Sequence, residues 1–300
     1  MKVLIAGGSG FIGRHLIESL NADNHHVWVL SRNPKKSIKG VRIVRWDGKT
    51  PDGWGQLVNE MDAIVNLSGL SLYYWPWTKR KKQRFIDSRV EPGRALASAI
   101  QEASHRPDVL IQFSGINHYG LRGEGIADES TPPGGDYLAQ LTVVWENATK
   151  SVEEVGVRHV VCRSAVVLAS DAILLWLMAL PVRLFFGGRF GSGKQAMPWI
   201  HIKDHVGATR FLMENPNASG PYNLIAPQTT SNAEFMRMLA KVLGRPYWFP
   251  YPEFMLRLVL GEMSVMITEG RLSKPEHLFE SGYNMHFSNL EDALRDIYNK

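Results

Sequence analysis

In 300 residues there is one cysteine, Cys162. A lone thiol excludes an intrachain disulfide framework. Its place in the apolar run Val160-Val161-Cys162 makes a reduced, buried side chain the default, so a cytoplasmic compartment is expected. No hydrophobic run is long enough to span a bilayer. The most apolar stretch, Ala172–Leu180 continuing through Pro181-Val182-Arg183 to Leu184-Phe185-Phe186, is too short and too interrupted. Its Leu, Trp and Met content predicts a helix packed on the body or roofing a pocket, with membrane-surface contact as the alternative. No secretory leader is expected, because residues 3–6 read as a strand entering a glycine-rich turn. Dense charge is scarce too. The net charge is +5 and the one basic cluster is Lys79-Arg80-Lys81-Lys82-Gln83-Arg84, beside Trp75, Trp77 and Phe85. Such a run reads as a solvated helix face, and no nucleic-acid partner is expected. His25-His26 has no third ligand at a recognisable spacing, so no metal site is expected. Repeats and low-complexity tracts are absent, and a hydrophobic content of 44% suffices for a substantial core.

The first 32 residues carry the strongest positive signal. The apolar run Val3–Ala6 meets Gly7-Gly8-Ser9-Gly10-Phe11-Ile12-Gly13, helix-period residues Ile12, Leu16, Ile17 and Leu20 follow, and His26–Leu30 supplies a second strand. A strand turning abruptly into a helix needs glycine where φ must be positive and where a phosphate must approach main-chain N–H groups. The glycines fit a dinucleotide turn in two spellings, Gly8-x-Gly10-x-x-Gly13 and Gly7-x-x-Gly10-x-x-Gly13. The end of the second strand selects the nucleotide. An Asp or Glu there would accept hydrogen bonds from a ribose 2′-hydroxyl and repel a 2′-phosphate. This chain instead has Ser31 and Arg32, a hydroxyl and a guanidinium that suit the phosphate of NADP, with Lys35 and Lys36 as outer candidates.

Apolar runs recur at Val3–Ala6, Val27–Leu30, Arg42–Arg45, Ala63–Leu67, Val109–Phe113 and Val160–Arg163, with helical patterns at Gly10–Leu20, Arg80–Glu102, Tyr137–Val155 and Ala233–Leu243. This alternation predicts an α/β fold, a Rossmann-type doubly wound parallel sheet covered on both faces. Gly156 and Gly244 stand where C-terminal helix caps are expected. The alternation fails after Ala169. Residues 1–170, with 199–226 returning to them, therefore form the nucleotide domain, and 171–198 with 227–300 form a smaller C-terminal substrate lobe. Within that lobe Gly187–Pro198 has loop composition, Pro246–Pro252 should be extended, and an apolar helix follows near Phe254–Leu260. Arg189 and Lys194 among Gly187, Gly188, Gly191 and Gly193 fit either a phosphate cradle or a flexible hairpin. Asp204 reads as the cap of the helix after Trp199–Lys203, with His201 facing the cleft, and Asn232 as the cap of the next.

Gly7–Gly13, Asn66-Leu67-Ser68-Gly69, Ser88-Arg89-Val90, Trp199–Asp204 and Asn223 together resemble the extended, epimerase-type branch of the short-chain dehydrogenase/reductases, where the wider glycine spacing is found. Phe113-Ser114-Gly115, Tyr119-Gly120, Gly187-Gly188, Gly191-Ser192-Gly193 and Gly261-Glu262-Met263 narrow the likeness to an atypical subgroup, the "epimerase family" of nucleoside-diphosphate-sugar epimerase type. Some of its members carry a cell-division-inhibitor label. The likeness covers almost the whole chain, including a region from about Trp248 typical of the subgroup. It implies that the diphosphate lies over Gly7, Gly10, Phe11, Ile12 and Gly13, and the 2′-phosphate at Ser31 and Arg32. It further implies that Asp47 lies near adenine and that Leu67, Ser68 and Gly69 line the nicotinamide side. Asp47-Gly48 is equally a turn dipeptide. Relatives in the superfamily often dimerise through the helices at Arg80–Glu102 and Tyr137–Val155, which makes a homodimer an expectation.

The resemblance also implies a chemistry. A Ser hydrogen-bonds the reacting oxygen, a Tyr moves its proton, and a Lys four residues after the Tyr lowers a phenol pKa that is otherwise near ~10. Ser114 takes the Ser position and Tyr137 stands about where that Tyr belongs, but the Lys position is Leu141. Tyr119 as proton-transfer group, or Arg163 approaching from the neighbouring strand, are the available substitutes. The expected activity is that of an oxidoreductase or epimerase acting at a carbonyl or hydroxyl carbon of an unidentified small molecule. The alternative is a non-catalytic NADP-binding regulatory or redox-sensing protein, which Leu141 favours.

Overall fold

The computed structural model describes residues 1–34 and 39–299. Lys35 and Lys36, the outer phosphate candidates, lie outside them. The apolar runs become strands β1 (Lys2–Ala6), β2 (His26–Ser31), β3 (Val41–Arg45), β4 (Ala63–Asn66), β5 (Val109–Gly115) and β6 (Arg158–Ser164). Three further strands, β7 (Val166–Leu168), β8 (Trp199–His201) and β9 (Gly220–Leu224), have too little apolar run to stand out in the sequence. β7 and β8 pair in a small parallel sheet, while β9 joins the main one.

The main sheet has seven strands in the order β3-β2-β1-β4-β5-β6-β9. All pairs are parallel, as Ala6↔Leu30, Ala6↔Asn66 and Asn66↔Gln112 show. The chain winds outward from β1 through β2 to β3, then returns to the other side of β1 with β4. That reversal opens a crevice beyond the carboxyl ends of β1 and β4, where doubly wound sheets bind ligands.

Alternation of period two puts Val3 and Ile5 in one core with Leu16, Ile17 and Leu20 of α1 (Phe11–Ala22) and with Leu212 of α5 (Ile202–Glu214). Leu4 and Ala6 point the other way, into a second core with Trp28, Leu96 and Ile100. The latter two belong to α2 (Lys79–Glu102), whose basic first turns begin at the cap Thr78. Burying both faces explains why these strands read as near-continuous apolar runs.

Several local expectations are corrected. The helix predicted over Tyr137–Val155 is α3 (Tyr137–Asn147) followed by a separate turn of tighter helix, Lys150–Val155. It breaks because the buried Thr149 hydroxyl donates to Gln112 Oε1 at 3.1 Å and lies 3.0 Å from His159 Nε2. The cap of α5 is His201, whose Nδ1 accepts from the Lys203 N–H, and not Asp204. Asp204 instead accepts the N–H groups of His286 at 2.7 Å and Phe287 at 2.9 Å, tying down the C-terminal region. His201 is buried against Phe287, not in the cleft. Ser231, rather than Asn232, caps α6 (Asn232–Leu243) in a reciprocal capping box with Glu234. Asn232 Oδ1 accepts the Phe190 N–H. Gly156 and Gly244 do end their helices in the left-handed conformation.

The segments 171–198 and 227–300 contain α4 (Ile173–Arg183), α6, α7 (Glu253–Leu260) and the last helix, Leu290–Tyr298, and buried residues of α4, α6 and the last helix share one core with the sheet. One side of α4 is packed, through Leu175, Met178, Ala179 and Val182, while Ile173, Trp176 and Leu177 are exposed. Gly187 and Gly188 are required by packing: a Cβ there would meet Pro246 O at 2.5 Å and Phe249 O at 1.5 Å. Pro246–Pro252 runs beside them as an extended segment, bridged at Gly187↔Tyr247 and Phe190↔Tyr251. No helix among the described residues is long and apolar enough to cross a membrane.

Candidate cofactor and active site

At the end of β1 the backbone folds back sharply. Gly7 has φ +80°, and a Cβ on it would stand 2.7 Å from both the carbonyl carbon and the oxygen of Leu67. Only glycine tolerates that pair of constraints. The Gly10 N–H donates to Gly7 O at 3.0 Å, and Gly10 forms the N-cap of α1. Gly13 packs where a Cβ would meet Gly8 O at 2.5 Å, which lets the helix start against the turn. The wider spelling Gly7-x-x-Gly10-x-x-Gly13 is thus the one with structural content. Gly8 faces the opposite way, onto Val29.

Among the described residues the N–H groups of Phe11, Ile12 and Gly13 have no main-chain acceptor. These amides form the positive end of α1. Phe11 and Ile12 do not themselves line the adjoining cleft, whose wall on this side ends at Gly10. The cleft beside the turn has a volume of about 600 Å³. Gly7, Ser9 and Gly10 form one wall, Leu67, Ser68 and Gly69 the facing wall, and Ser31 and Arg32 one end. Ser88 and Arg84 of α2 close the other side.

Arg32 is exposed, with Gly48 under its stem, 3.9 Å from a Cβ position to Arg32 Cδ. The Ser31 hydroxyl oxygen accepts the Asn33 N–H at 3.1 Å. Asp47 lines the cleft as well, but its carboxylate closes a turn, accepting the N–H groups of Lys49 at 2.7 Å and Thr50 at 2.9 Å. Those bonds, Thr50 first, hold its pKa below the ordinary value. Among the described residues, a diphosphate finds unbonded amides at Phe11–Gly13 next to the cleft, and a 2′-phosphate finds at Arg32 a guanidinium with no hydrogen-bond or ion-pair partner. The residues present fit NADP.

The three candidates for proton chemistry do not converge on this cleft; none of them lines it. Ser114, at the end of β5, is two residues beyond Gln112, the β5 neighbour of Asn66, so it emerges at the same carboxyl end of the sheet as Ser68, two residues beyond Asn66. Its hydroxyl donates to Glu146 Oε1 at 2.7 Å. Glu146 also accepts from Arg163 Nε at 3.0 Å and Nη2 at 2.9 Å, and lies 3.3 Å from His118 Nδ1. Burial alone would raise the Glu146 carboxyl, but hydrogen bonds and charge from His118 and Arg163 override it and hold it down at about 2.

Tyr119 is fully buried, donating to Asn223 Oδ1 at 2.7 Å and accepting from Arg163 Nη1 at 2.9 Å. Burial pushes its phenol up to about 12 despite the Arg163 charge. Arg163 therefore does approach a tyrosine, but it is Tyr119. Tyr137 sits apart, half-buried among Trp77, Leu70 and Leu72, with its hydroxyl donating to Lys82 O at 3.2 Å and Lys82 Nζ 4.5 Å over its ring. Burial raises this phenol to about 12 too, with the nearby Arg89 charge pulling the other way. Leu141 is buried in the same apolar cluster.

Sequence reasoning missed Glu146, His118 and Arg89. The first and last had a visible signal: Leu138, Thr142 and Glu146 share one face of α3, and Phe85, Arg89 and Leu96 one face of α2, so each charge falls on a buried stripe.

Residues 3–225 match the NAD dependent epimerase/dehydratase family, and residues 251–297 a domain of unknown function, DUF1731. The chain is 35% identical over 301 residues to the epimerase family protein YfhF of Bacillus subtilis, covering 99% of this chain and 98% of that one. The crystal structure of human epimerase family protein SDR39U1 with NADPH superposes with a TM-score of 0.88 at 32% identity, over 100% of this chain and 99% of that one. UDP-glucuronic acid 4-epimerase from Bacillus cereus, solved with UDP-glucuronic acid and NAD, shares the fold at a TM-score of 0.79 and 18% identity, over 100% and 98% of the two chains. With the glycine turn, the crevice above β1 and β4 and a match over most of its length, this chain belongs to the NAD-dependent epimerase/dehydratase family.

Proposed function

We propose that the protein is an NADP(H)-dependent oxidoreductase that reduces a carbonyl group of a small molecule. The observation that carries the reading is one cleft lined by Gly7, Ser9, Gly10 and Arg32, with the amides of Phe11–Gly13, unbonded among the described residues, next along the chain from Gly10 and with no Asp or Glu at the end of β2. The NADPH in the human relative's structure supports the choice of nucleotide.

Bound NADPH supplies the hydride. Tyr137 is our candidate proton donor: its phenol, held at about 12, stays protonated at neutral pH, and giving that proton to the reacting carbonyl oxygen requires the hydroxyl to leave Lys82 O and turn into the cleft, which it does not line here. The same protonation state makes Tyr137 a poor base, which favours reduction over an epimerisation that must begin by removing a hydroxyl proton. Ser114 orients the substrate by accepting a hydrogen bond, since its own proton is directed to Glu146. Tyr119, with both hydrogen bonds made inside the protein, holds Arg163 and Asn223 in position.

A second reading, an NADP(H)-binding regulator or redox sensor without turnover, is favoured by those same committed hydroxyls. Calorimetry with NADPH and NADH, followed by NADPH consumption across carbonyl compounds and keto-sugar nucleotides, separates the two. Turnover that falls in Tyr137→Phe supports the reductase, and stoichiometric binding with no consumption across the panel supports the sensor. Absence of NADPH binding overturns both.

A further inference from the structure

Arg89 and Arg163 are equally buried, each 6% exposed, but their charges are met differently. Arg163 faces the Glu146 carboxylate. Among the described residues no Asp or Glu pairs with Arg89. Its Nη1 donates to Phe85 O at 3.0 Å, Leu70 O at 3.1 Å and Ser88 Oγ at 3.4 Å. Its Nε is buried with no acceptor, and among the described residues its hydrogen bonds all run from Nη1 and none from Nη2. Nε and Nη2 form one edge of the guanidinium, the edge that grips a carboxylate or phosphate with two parallel bonds. The Trp145 ring, 4.7 Å from Cζ, supports the plane from behind. Gly69 lies over its face: a Cβ there would stand 3.3 Å from Arg89 Cζ and 3.5 Å from Nε; Gly69, Leu70 and Ser88 line the cleft, and Arg89 stands directly behind them without lining it itself. Burying a cation without a counter-ion is costly, and an anion bound at the open edge would offset that cost.

We propose that the Nε/Nη2 edge of Arg89, kept open by Gly69, is an oxyanion site for the molecule in the cleft. It takes two oxygens of a phosphate or carboxylate. The source is either the diphosphate of the nucleotide or an acidic group of the substrate. The second source would narrow the substrates to carbonyl compounds bearing a carboxylate or phosphate. The inference rests on the cofactor reading only for the identity of the cleft's occupant.

Titration calorimetry on the full chain tests it with Arg89→Lys, Arg89→Gln and Gly69→Ala. The ligands are NADPH, 2′,5′-ADP (which lacks the nicotinamide-bearing diphosphate), and malonate or inorganic phosphate added to NADPH-saturated protein. If the diphosphate is the source, NADPH binding weakens roughly 10- to 100-fold in all three variants, and 2′,5′-ADP, which keeps only one of the two phosphates of the diphosphate, weakens less. If the substrate is the source, NADPH binding is unchanged and the malonate or phosphate affinity of the wild type is lost. Unchanged affinities for all these ligands in all three variants overturn the proposal. Arg89→Lys keeps the charge but not the fork, and Gly69→Ala keeps Arg89 itself, so the test survives misfolding of Arg89→Gln. A wild-type protein that bound no NADPH would refute the cofactor reading, while malonate and phosphate titrations of the same protein would still decide Arg89.

Discussion

The Ser114 hydroxyl donates to Glu146 Oε1 across 2.7 Å, and this bond fixes what the serine offers a ligand. Its proton is engaged by a carboxylate held near a pKa of about 2, so lone pairs, not a donor, face outward. One bond thereby links the end of β5 to α3, and through Arg163 to Tyr119 and Asn223.

Glu146→Gln removes the only carboxylate that pairs with Arg163 among the described residues and leaves a buried guanidinium uncompensated. The expected cost is about 3–5 kcal/mol, read as a fall in the urea midpoint at pH 7. The native carboxyl titrates below its unfolded value, so its contribution is complete above about pH 4.5 and is lost as the pH falls through about 2. That segment of the acid stability curve should be absent from Glu146→Gln.

His205 is fully buried, stacked on Phe113, with its Nε2 3.0 Å from Ser164 Oγ, and burial drives its pKa down to about 3. The folded protein holds it neutral, whereas the unfolded chain protonates it near 6.5. Stability is therefore fully present above that pH and declines on acidification at a rate on the order of 1 kcal/mol per pH unit. His205→Gln should flatten the dependence of the urea midpoint between pH 6 and 4 (roughly the window between the two pKa values); an unchanged slope rejects the assignment.

Tyr119→Phe and Tyr137→Phe should separate by readout. The first strands Asn223 Oδ1 and Arg163 Nη1 in the interior, costing ~1–3 kcal/mol in thermal or urea denaturation. The second leaves stability nearly unchanged, because its partner Lys82 O is near solvent, and lowers NADPH-dependent turnover on the order of 10²–10⁴-fold. A stable Tyr119→Phe with abolished turnover would exchange their roles.

Gly7→Ala combines a positive φ with a Cβ 2.7 Å from the Leu67 carbonyl. It should destabilise the fold by roughly 1–3 kcal/mol and abolish nucleotide binding, measured by calorimetry. Arg32→Glu should leave stability intact, weaken NADPH roughly tenfold or more, and shift preference toward NADH.

The periodic features were legible along the chain. β1 and its turn, the six apolar strands, Arg32 in place of an acid and the terminating Gly156 and Gly244 all rest on local requirements, where one residue's φ, burial or charge suffices. Contacts between distant segments were not legible. Nothing near Thr149 announces Gln112, so the break after α3 reads as continuous helix. Asp204 looks like a cap until the backbone of His286 and Phe287 arrives to claim it.

The nucleotide turn, the parallel α/β fold and the absence of an acid at the end of β2 follow from sequence alone, because each is set by neighbours within a few residues. Tertiary structure alone decided the partners of the hydroxyls and buried charges: Ser114 to Glu146, Tyr119 to Arg163 and Asn223, Tyr137 to Lys82, and Arg89 to no carboxylate among the described residues. A buried polar group must find its complement across the packed interior, and only the three-dimensional register of β5, β6, α2 and α3 determines which group that is.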